Sequence, residues 1–348
     1  MEPCWFFFLW SEIVRVAIIG AGNNAAGHAK SLDAIEEVQI VGITDPATDR
    51  AEGLVAEVGG KAYDDHRAML EAEKPDAVWI CSPCFLHARQ TIDSAEAGAH
   101  VMCEKPMALS LEDCDRMIAT ARDAGTKIMV DQSTRFMPAL VEMKNILDSG
   151  RCGDFVKSWS IRESYHVIKN EANWRLDFDK SGGIPFEWEV HEIDFVRSIG
   201  GQVTDVYART AFSRAEAPTF LDHFSAILTF ANGGYGNLEA SQSQTLPSSG
   251  RGFSGTEGSV VATGRDTLKI KTAKMDAPEE ITVGIDRASR ARGAAPRARD
   301  ARSIPNSQFI EAILNDSPSP VPGEEGRINV AIAAAIVESG RTGSVVQL

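Results

Sequence analysis

The feature that most constrains the fold of this chain is an alternation of apolar runs with helical segments from residue 14 to residue 131. The first run, VRVAIIG at 14–20, is continuously apolar and ends in glycine, as is typical of a parallel strand buried on both faces. Strands separated by helical segments of roughly 10 to 15 residues indicate βαβ units, so the pattern predicts an α/β domain with a doubly wound parallel sheet. The further predicted strands are VQIVGITD (38–45), a short one near Ala62, DAVWICS (76–82), AHVMCE (99–104) and TKIMVD (126–131).

The pattern changes after about residue 133, where period-two alternation and turn signals such as Asn232-Gly233-Gly234 replace the earlier rhythm. This half is predicted to be an α+β domain with a large, mostly antiparallel sheet and one inserted helix. Two closing helices, 303–315 and 323–339, follow it. The predicted strands cover residues 154–164, 204–213, 222–234 and 235–244.

Composition excludes some classes of partner. The length of 348 residues favours two domains, and the net charge of −14 argues against binding to nucleic acid or to an anionic membrane, because both would repel this surface. The opening MEPCWFFFLW is too short to span a bilayer and lacks the positive start of a signal peptide, so residues 1–13 are interpreted as an N-terminal extension.

Six cysteines in no disulfide framework favour a reducing, cytoplasmic setting. Cys81 and Cys84 have C-x-x-C spacing, but no second Cys/His pair with metal-ligand spacing follows, so no metal site is predicted. We expect Cys81 to end a buried strand.

An arginine-rich stretch, RASRARGAAPRARDAR at 287–302, holds six arginines among small residues. Such bias is typical of a mobile surface loop. A role in gripping an anionic group is the alternative interpretation.

A glycine loop follows the first strand and opens the first helix. Gly20 permits the tight turn, and Gly22 lets backbone amides approach a pyrophosphate at the helix N-terminus. Ala25 stands where G-x-G-x-x-G has its third glycine and is small enough for close packing of helix on strand. This context predicts a dinucleotide site of the Rossmann type.

Asp45 ends the second strand, 23 residues beyond Gly22. A carboxylate there accepts hydrogen bonds from the adenosine ribose hydroxyls and repels a 2′-phosphate. No Arg or Lys follows until Arg50, so NAD is predicted in preference to NADP. A turn residue before Pro46 is the structural alternative.

The fifth strand ends in Cys103-Glu104-Lys105-Pro106. Ligands of open α/β sheets bind beyond the carboxyl ends of the strands, so Lys105 is expected where nicotinamide and substrate meet. An ammonium there can stabilise an alkoxide that forms as hydride leaves. A surface lysine is the alternative.

The stretch GGIPFEWEVHEID at 182–194 surrounds His191 with carboxylates. If residues 186–198 form one helix, Glu187 lies one turn from His191 on the same face. A carboxylate so placed fixes the imidazole tautomer and raises its basicity, as proton transfer requires. The alternative is a capped helix whose acids are solvated. The four acids are Glu187, Glu189, Glu192 and Asp194.

Several motifs, taken in order, resemble the Gfo/Idh/MocA oxidoreductase family. The most specific is EKP after a hydrophobic strand, and the resemblance covers residues 14–348. The motifs are G-x-G-x(5)-H (Gly20, Gly22, His28), S-P-x-x-x-H (Ser82, Pro83, His87), AGAHVMCEKP (97–106), R-F-x-P (Arg135, Phe136, Pro138), Trp174-Arg175, Gly182-Gly183, H-x-x-D (His191, Asp194) and ESGRTGSVV (338–346).

The resemblance implies a dinucleotide-binding Rossmann domain at 14–133 and a substrate-binding and oligomerisation domain at 134–348, in a homodimer or homotetramer. It also implies that Lys105, His191 and Glu187 are catalytic. The implied cofactor contacts are Gly20, Gly22, Asn23, Asn24, Asp45, Ser82, Pro83, His87, Glu104 and Lys105. The implied substrate contacts are Arg135, Trp174, Arg175, Glu187 and His191. For Arg135 a salt-bridge role, for Trp174 a core role, and for His28 and His87 loop support are the alternatives.

Three positions depart from the family pattern. Glu187 replaces aspartate in the Asp-x-x-x-His motif, Glu189 replaces a glycine, and Cys84 replaces an asparagine expected over the cofactor. A thiol is a poorer hydrogen-bond partner than an amide, so one cofactor contact is expected to be missing or moved.

The predicted function is NAD-dependent hydride transfer from a sugar, cyclitol or glycoside hydroxyl carbon, with His191 taking the proton and Lys105 stabilising the oxyanion. One alternative is glycoside oxidation followed by elimination without net redox, for which Glu187 or Glu189 would supply acid or base. Another is a non-catalytic ligand sensor.

Overall fold

The computed structural model of the chain describes residues 13–166, 173–283 and 302–348. The predictions for the N-terminal extension, apart from residue 13, and for the arginine-rich stretch, apart from Arg302, fall outside the described residues.

A six-stranded parallel sheet forms the first half, in the order β3-β2-β1-β4-β5-β6. Its inner strands are covered on both faces, and Val16 and Ile18 of β1 are fully buried, which accounts for the continuous apolar run. This arrangement confirms the predicted doubly wound sheet. The strands are β1 (Val14–Ile19), β2 (Val38–Thr44), β3 (Lys61–Tyr63), β4 (Ala77–Ile80), β5 (His100–Cys103) and β6 (Ile128–Val130).

Helices connect these strands and cover both faces of the sheet. In the last of them Ser110 caps the N-terminus by accepting from the Asp113 amide, and Gly125 ends the helix in the left-handed region with φ +70°. The helices are α1 (Asn23–Asp33), α2 (Thr48–Val58), α3 (His66–Glu73), α4 (His87–Glu96) and α5 (Leu111–Ala124).

The second half contains a nine-stranded sheet in the order β14-β13-β12-β11-β7-β10-β9-β8-β15. Its neighbouring strands run antiparallel except for β7 and β10, which are parallel. The mostly antiparallel sheet is therefore confirmed. Its strands are β7 (Phe155–Tyr165), β8 (Val203–Ala211), β9 (His223–Phe230), β10 (Tyr235–Ser241), β11 (Ser243–Gly255), β12 (Gly258–Ala262), β13 (Thr267–Thr272), β14 (Glu279–Thr282) and β15 (Val346–Gln347).

Sequence patterning missed part of this half. Strand β11 reads SQTLPSSGRGFSG, which is rich in serine and glycine and contains proline, so its intrinsic strand preference is low. It is a strand because β7 and β12 supply hydrogen-bond partners on its two sides. Tertiary pairing here overrides local propensity.

The single predicted helix at 186–198 is wrong, because several helical segments occupy this region. Gly182 and Gly183 both have positive φ, and regular α-helical hydrogen bonding is interrupted at Trp188 and Glu189, where the Glu189 amide donates to the Ile184 carbonyl at 2.8 Å. The helices of this half are α6 (Pro138–Asp148), α7 (Phe178–Ser181), α8 (Ile184–Glu187), α9 (Val190–Gly200), α10 (Ser303–Leu314) and α11 (Gly323–Thr342).

The two closing helices pack back on the first half. Helix α10 contacts α1, and α11 contacts both α5 and β8. Asn306 of α10 accepts a hydrogen bond at 2.9 Å from Nε1 of Trp79 in β4, and Trp79 is fully buried. Within the described residues, no helix has the length and apolarity that crossing a bilayer would require.

We expect Gly200→Ala to destabilise the fold, because a Cβ at Gly200 would lie 2.1 Å from the Phe230 ring, which is buried against Phe155. Overpacking of this kind costs about 1 to 3 kcal/mol. Gly53→Ala is the matched control, since its Cβ meets nothing within 4 Å in the exposed middle of α2 and should stabilise by up to about 1 kcal/mol. Urea unfolding midpoints measure both, and equal midpoints would contradict the packing of α9 on β9.

Candidate active site

A cleft of about 870 Å³ opens at the carboxyl ends of the first sheet and is lined by residues from both halves of the chain. Most of the predicted site residues lie in its wall. Those from the first half are Gly20, Gly22, Asn23, Asn24, Asp45, Ser82, Pro83, Glu104 and Lys105, and those from the second are Trp174, Arg175 and Glu187. His87, Arg135 and His191 are not among the lining residues.

The glycine loop has the geometry that a dinucleotide pyrophosphate needs. Gly20 has φ +96°, and a Cβ there would lie 2.9 Å from the Cys81 carbonyl carbon, so no other residue fits without strain. A Cβ at Gly22 would meet nothing within 4 Å, and α1 begins at the next residue. The helix start is therefore open at this point of the cleft wall.

Asp45 ties the glycine loop to the end of β2. Its Oδ2 accepts from the Ala21 amide and its Oδ1 from the Ala47 amide, each at 2.9 Å. The turn role considered for this residue is thus present, and the carboxylate also lines the cleft. Arg50 lines the same part of the wall and brings a positive charge near it.

Lys105 links the two halves of the molecule. The peptide bond between Lys105 and Pro106 is cis, and the lysine Nζ donates to the backbone carbonyl of Glu187. The ammonium thus lies at the cleft wall and against the segment that leads into α9. The surface alternative for this lysine is wrong.

His191 lies in the first turn of α9 and is partly buried. Its Nδ1 is 2.9 Å from Oε1 of Gln132, a fully buried residue at the end of the first sheet. Burial, together with the positive charge of Lys105, lowers the pKa of His191 to about 3, so the ring is neutral at ordinary pH.

The predicted pairing of Glu187 with His191 is not present. Oε1 of Glu187 instead accepts from Nε of Arg175 at 2.7 Å, and the Arg175 guanidinium stacks on Trp174 at 4.4 Å from the ring centroid. The break between α8 and α9 is the physical reason, because the two residues do not belong to one helix. Trp174 is in the cleft wall, so its core alternative is not supported.

The other acids of this stretch are buried, so the solvated alternative is wrong. Each has an arginine partner, as a buried carboxylate requires. Glu192 pairs with Arg251, and Asp194 accepts from Arg135 at 2.6 and 2.7 Å. Glu189 lies 3.6 Å from Arg162.

Glu189 is the least well paired of these acids. It is 1% exposed, and its Oε1 has no hydrogen-bond partner among the described residues. Burial, together with the nearby charge of Glu192, raises the pKa of Glu189 to about 8. This carboxyl is not among the residues that line the cleft.

Arg135 forms salt bridges and does not line the cleft. Besides Asp194, its guanidinium donates to Glu325 of α11 at 2.6 Å. It borders a separate, smaller cavity of about 260 Å³. The substrate role of Arg135 stays a prediction, and the salt-bridge alternative is the one that these contacts support.

His28 occupies a buried ion-pair centre behind the EKP turn. Its Nε2 lies 3.3 Å from Glu104 and 3.4 Å from Asp131, and its Nδ1 lies 2.9 Å from Oδ1 of Asn306. Because both ring nitrogens face acceptors, the geometry fits a doubly protonated imidazolium. Burial opposes this charge, but Asp131 and Glu104 outweigh burial and raise the pKa of His28 to about 10.

One potential ligand atom from each of these three side chains lies within 4.8 Å of the other two, an arrangement that is compatible with a metal ion. The imidazolium already supplies one positive charge to the pair of carboxylates, and burial, together with the charge of Glu104, raises the pKa of Asp131. Although burial opposes it, His28 holds the pKa of Glu104 down to about 2. We therefore interpret the cluster as structural support for the EKP turn.

His87 supports the neighbouring loops. Its Nδ1 is 2.8 Å from the Pro106 carbonyl and its Nε2 is 3.0 Å from the Ser82 carbonyl. Burial lowers the pKa of this ring. Cys84 is also buried, and its thiol donates to the Lys180 carbonyl.

Sequence reasoning missed Gln132 and the role of Arg302. Nη2 of Arg302 donates to Oδ1 of Asn24 at 3.0 Å, and a Cβ at Gly27 would lie 2.6 Å from its Nη1. The glycine at 27, two positions after Ala25, is therefore explained by an arginine from the far end of the chain. No local pattern signals either contact, since both partners are distant in sequence.

We expect His28→Gln to destabilise the protein by about 3 to 5 kcal/mol, because two buried carboxylates lose their cation. The pKa of His28 is raised from 6.5 to about 10, so its contribution is complete below pH 6.5 and is lost as the pH rises toward 10. The pKa of Glu104 is lowered from 4.5, so its contribution is lost as the pH falls below 4.5.

Urea unfolding of the wild type and of His28→Gln across this pH range measures the difference in their free energy of unfolding. This difference should be largest between pH 4.5 and 6.5 and should shrink as the pH rises above 6.5. His223→Gln, at a half-exposed histidine 3.9 Å from Asp222, is the control and should change stability by less than about 1 kcal/mol. A difference that grows toward high pH would refute the imidazolium.

The chain matches two descriptions of one protein family. Residues 14–132 match "Oxidoreductase family, NAD-binding Rossmann fold", and residues 140–261 match the GFO/IDH/MocA C-terminal domain. The myo-inositol 2-dehydrogenase of Thermotoga maritima is 27% identical, covering 94% of this chain and 96% of its own. The scyllo-inositol 2-dehydrogenase (NAD(+)) of Bacillus subtilis is 27% identical over 96% of each chain.

A solved structure of levoglucosan dehydrogenase, in complex with NADH and levoglucosan, superposes with a TM-score of 0.86. It covers 97% of this chain and 99% of its own at 24% identity, so this likeness shows a common fold. Together with the family matches, the order of the two domains and the position of the EKP turn lead to one assignment. The chain belongs to the Gfo/Idh/MocA family and is an oxidoreductase with an NAD-binding Rossmann fold.

Proposed function

We propose that this protein is an NAD-dependent dehydrogenase that oxidises a hydroxyl-bearing carbon of a neutral sugar, cyclitol or glycoside. The observation that carries the proposal is the contact of Lys105, from the first half, with the 187–191 segment of the second half. His191 follows in the first turn of α9, and the charge of Lys105 acts on its ring. An ammonium and a neutral imidazole in this relation, near the carboxyl ends of the strands, suit alcohol oxidation.

The residues present fit a dinucleotide. Gly20 and Gly22 leave the helix start open, Asp45 lies where ribose hydroxyls would bind, and Pro83 lies in the same wall. When bound, the nicotinamide supplies hydride acceptance. The chain supplies the rest, since His191 takes the hydroxyl proton and Lys105 stabilises the negative charge that develops on oxygen.

A neutral polyol is favoured over an anionic substrate by the pairing of charge in the cleft. Arg175 is held by Glu187, and its guanidinium covers Trp174. Trp174 also lies beside Phe85, at 5.9 Å between ring centroids, and lines the cleft, where it supplies an apolar surface for a sugar ring. The names of the two inositol dehydrogenases support this substrate class.

Net oxidation is preferred over oxidation followed by elimination. Elimination needs a further acid or base near the substrate. Of the two acids that sequence reasoning offered, Glu187 accepts from Arg175 at 2.7 Å. The other, Glu189, is buried and lies 3.6 Å from Arg162. Accumulation of NADH in step with substrate loss would distinguish the two reactions.

A homodimer or homotetramer and a cytoplasmic location stay predictions. The outer face of the second sheet exposes Ile227 and Tyr235 at 46% and 40%, which suits a contact between copies. Size-exclusion chromatography with light scattering measures the assembly.

We expect Lys105→Met and His191→Asn each to lower kcat by at least about a hundredfold, because each removes a group that acts on the reacting oxygen. The assay is NAD reduction with a panel of inositols, sugars and glycosides. Lys30→Met is the control, since Lys30 is an exposed partner of Glu57 on the far side of α1. Retention of wild-type turnover by either site variant would remove it from the mechanism.

We expect Asp45→Asn to lower the preference for NAD over NADP by about tenfold to a hundredfold, because a charged acceptor for ribose is lost while one acceptor oxygen stays for the loop amides. The ratio of kcat/KM with NAD to kcat/KM with NADP measures this preference. Asp49→Asn, at an exposed position in the first turn of α2, is the control. A wild type that prefers NADP would assign the dominant role to Arg50.

A further inference from the structure

The imidazole of His191 has a defined partner that no motif suggests. Its Nδ1 lies 2.9 Å from Oε1 of Gln132. A carboxamide oxygen can accept but cannot donate, so in a neutral ring the proton must be on Nδ1. The lone pair is then on Nε2, the nitrogen that a proton acceptor needs.

We propose that Gln132, rather than Glu187, is the positioning residue that holds His191 in the Nδ1-protonated tautomer, so that Nε2 receives the substrate proton. This inference rests on the proposed dehydrogenase function. The substrate hydroxyl would lose its proton to Nε2, and NAD, when bound, would supply the hydride acceptor for the same carbon, so that a carbonyl group would remain. The imidazolium that results passes its proton to water.

Backbone hydrogen bonds fix the position of Gln132 in the chain. The Asp131 amide donates to the Cys103 carbonyl at 2.8 Å, and the Gln132 amide donates to the Val130 carbonyl at 2.7 Å. The Gln132 carbonyl in turn accepts from the Arg135 amide at 2.9 Å, where a short 3-10 helix begins. The backbone at Gln132 is therefore anchored to the strand ends that also carry Lys105, and its side chain is fully buried.

A neutral partner has a different effect from a carboxylate. A carboxylate on Nδ1 would raise the basicity of the ring, whereas an amide leaves it neutral and only orients it. The groups that act on His191 from the surrounding elements are Lys105, Glu104, Glu192 and Arg162. Glu187, the residue that the family motif would suggest, bonds to Arg175 instead.

The orientation of the Gln132 carboxamide decides which tautomer of His191 is present, because its oxygen and its nitrogen make opposite demands on the ring. The Gln132 Nε2 is buried and has no partner among the described residues. The reversed amide would point Nε2 at the ring, require a lone pair on Nδ1 and put the ring proton on the other nitrogen. The two orientations thus predict opposite tautomers.

The direct test is NMR of the full-length wild-type protein with ¹⁵N-labelled histidine, without cofactor or substrate, with the His191 signals identified by their loss in His191→Asn. We expect the proton on Nδ1 at pH 7. A proton on Nε2 would overturn the inference. This measurement needs no turnover, so its result is independent of whether the wild type oxidises any polyol.

Three variants test the consequence for catalysis. Gln132→Glu should raise the pKa of His191, so the base form appears only at higher pH and the acid limb of kcat/KM moves up by one pH unit or more. Gln132→Met should lower kcat by about tenfold to a hundredfold, with KM changed less than threefold, because the ring loses its fixed tautomer. Glu187→Gln should leave the acid limb where it is.

Acid unfolding would itself move the limb, so far-UV circular dichroism must show each variant folded over the pH range of its limb. Under that condition the pH profile separates positioning from a general loss of structure. A limb that moves with Glu187→Gln and not with Gln132→Glu would overturn the assignment in favour of Glu187. If the wild type turns over no polyol with either dinucleotide, the proposed function fails, while the NMR result still decides the partner of His191.

Discussion

The structure depends above all on the contact between the Lys105 ammonium and the Glu187 carbonyl. The lysine follows the carboxyl end of β5 in the first sheet, and the carbonyl belongs to the segment that leads into α9. A charged donor on a backbone acceptor is among the stronger hydrogen bonds, and this one spans the cleft between the halves. It holds the segment that carries His191 over the strand ends, where ligands of such sheets bind.

The second constraint is the charge buried beneath this segment. Glu189, Glu192 and Asp194 are each 1% exposed or less, and a carboxylate in such a place needs a partner. Arg251 of β11 and Arg135 of the turn after β6 pair with Glu192 and Asp194, so ion pairs fasten α9 within the second half. Arg162 of β7 lies 3.6 Å from Glu189. A similar arrangement behind the EKP turn joins His28 to Glu104 and Asp131. The site is therefore supported by compensated charge as well as by apolar packing.

Much of the first half could be predicted from local pattern. Its strands are short apolar runs, and its glycine loop and EKP turn follow strands directly, so chain order alone assigns them to one sheet edge. In the second half, β11 was missed because its serines and glycines carry no strand signal without β7 beside them. Arg135 was assigned to the substrate, whereas Asp194 and Glu325 hold its guanidinium elsewhere.

The sequence by itself determined the doubly wound sheet, the open glycine loop, the acid at the end of β2 and the lysine at the end of β5. These follow from hydrophobic periodicity and from residue types at fixed distances along the chain. Only the tertiary structure decided which group faces each polar atom of the site. Gln132 and His191 are 59 residues apart, and Arg302 and Asn24 are 278 apart, so no local pattern can join them. Glu187 accepts a hydrogen bond from Arg175 and not from His191, with two residues interrupting the helix between them. Hydrogen bonds depend on position in space to within a few tenths of an ångström, so a small shift of the chain changes the partner.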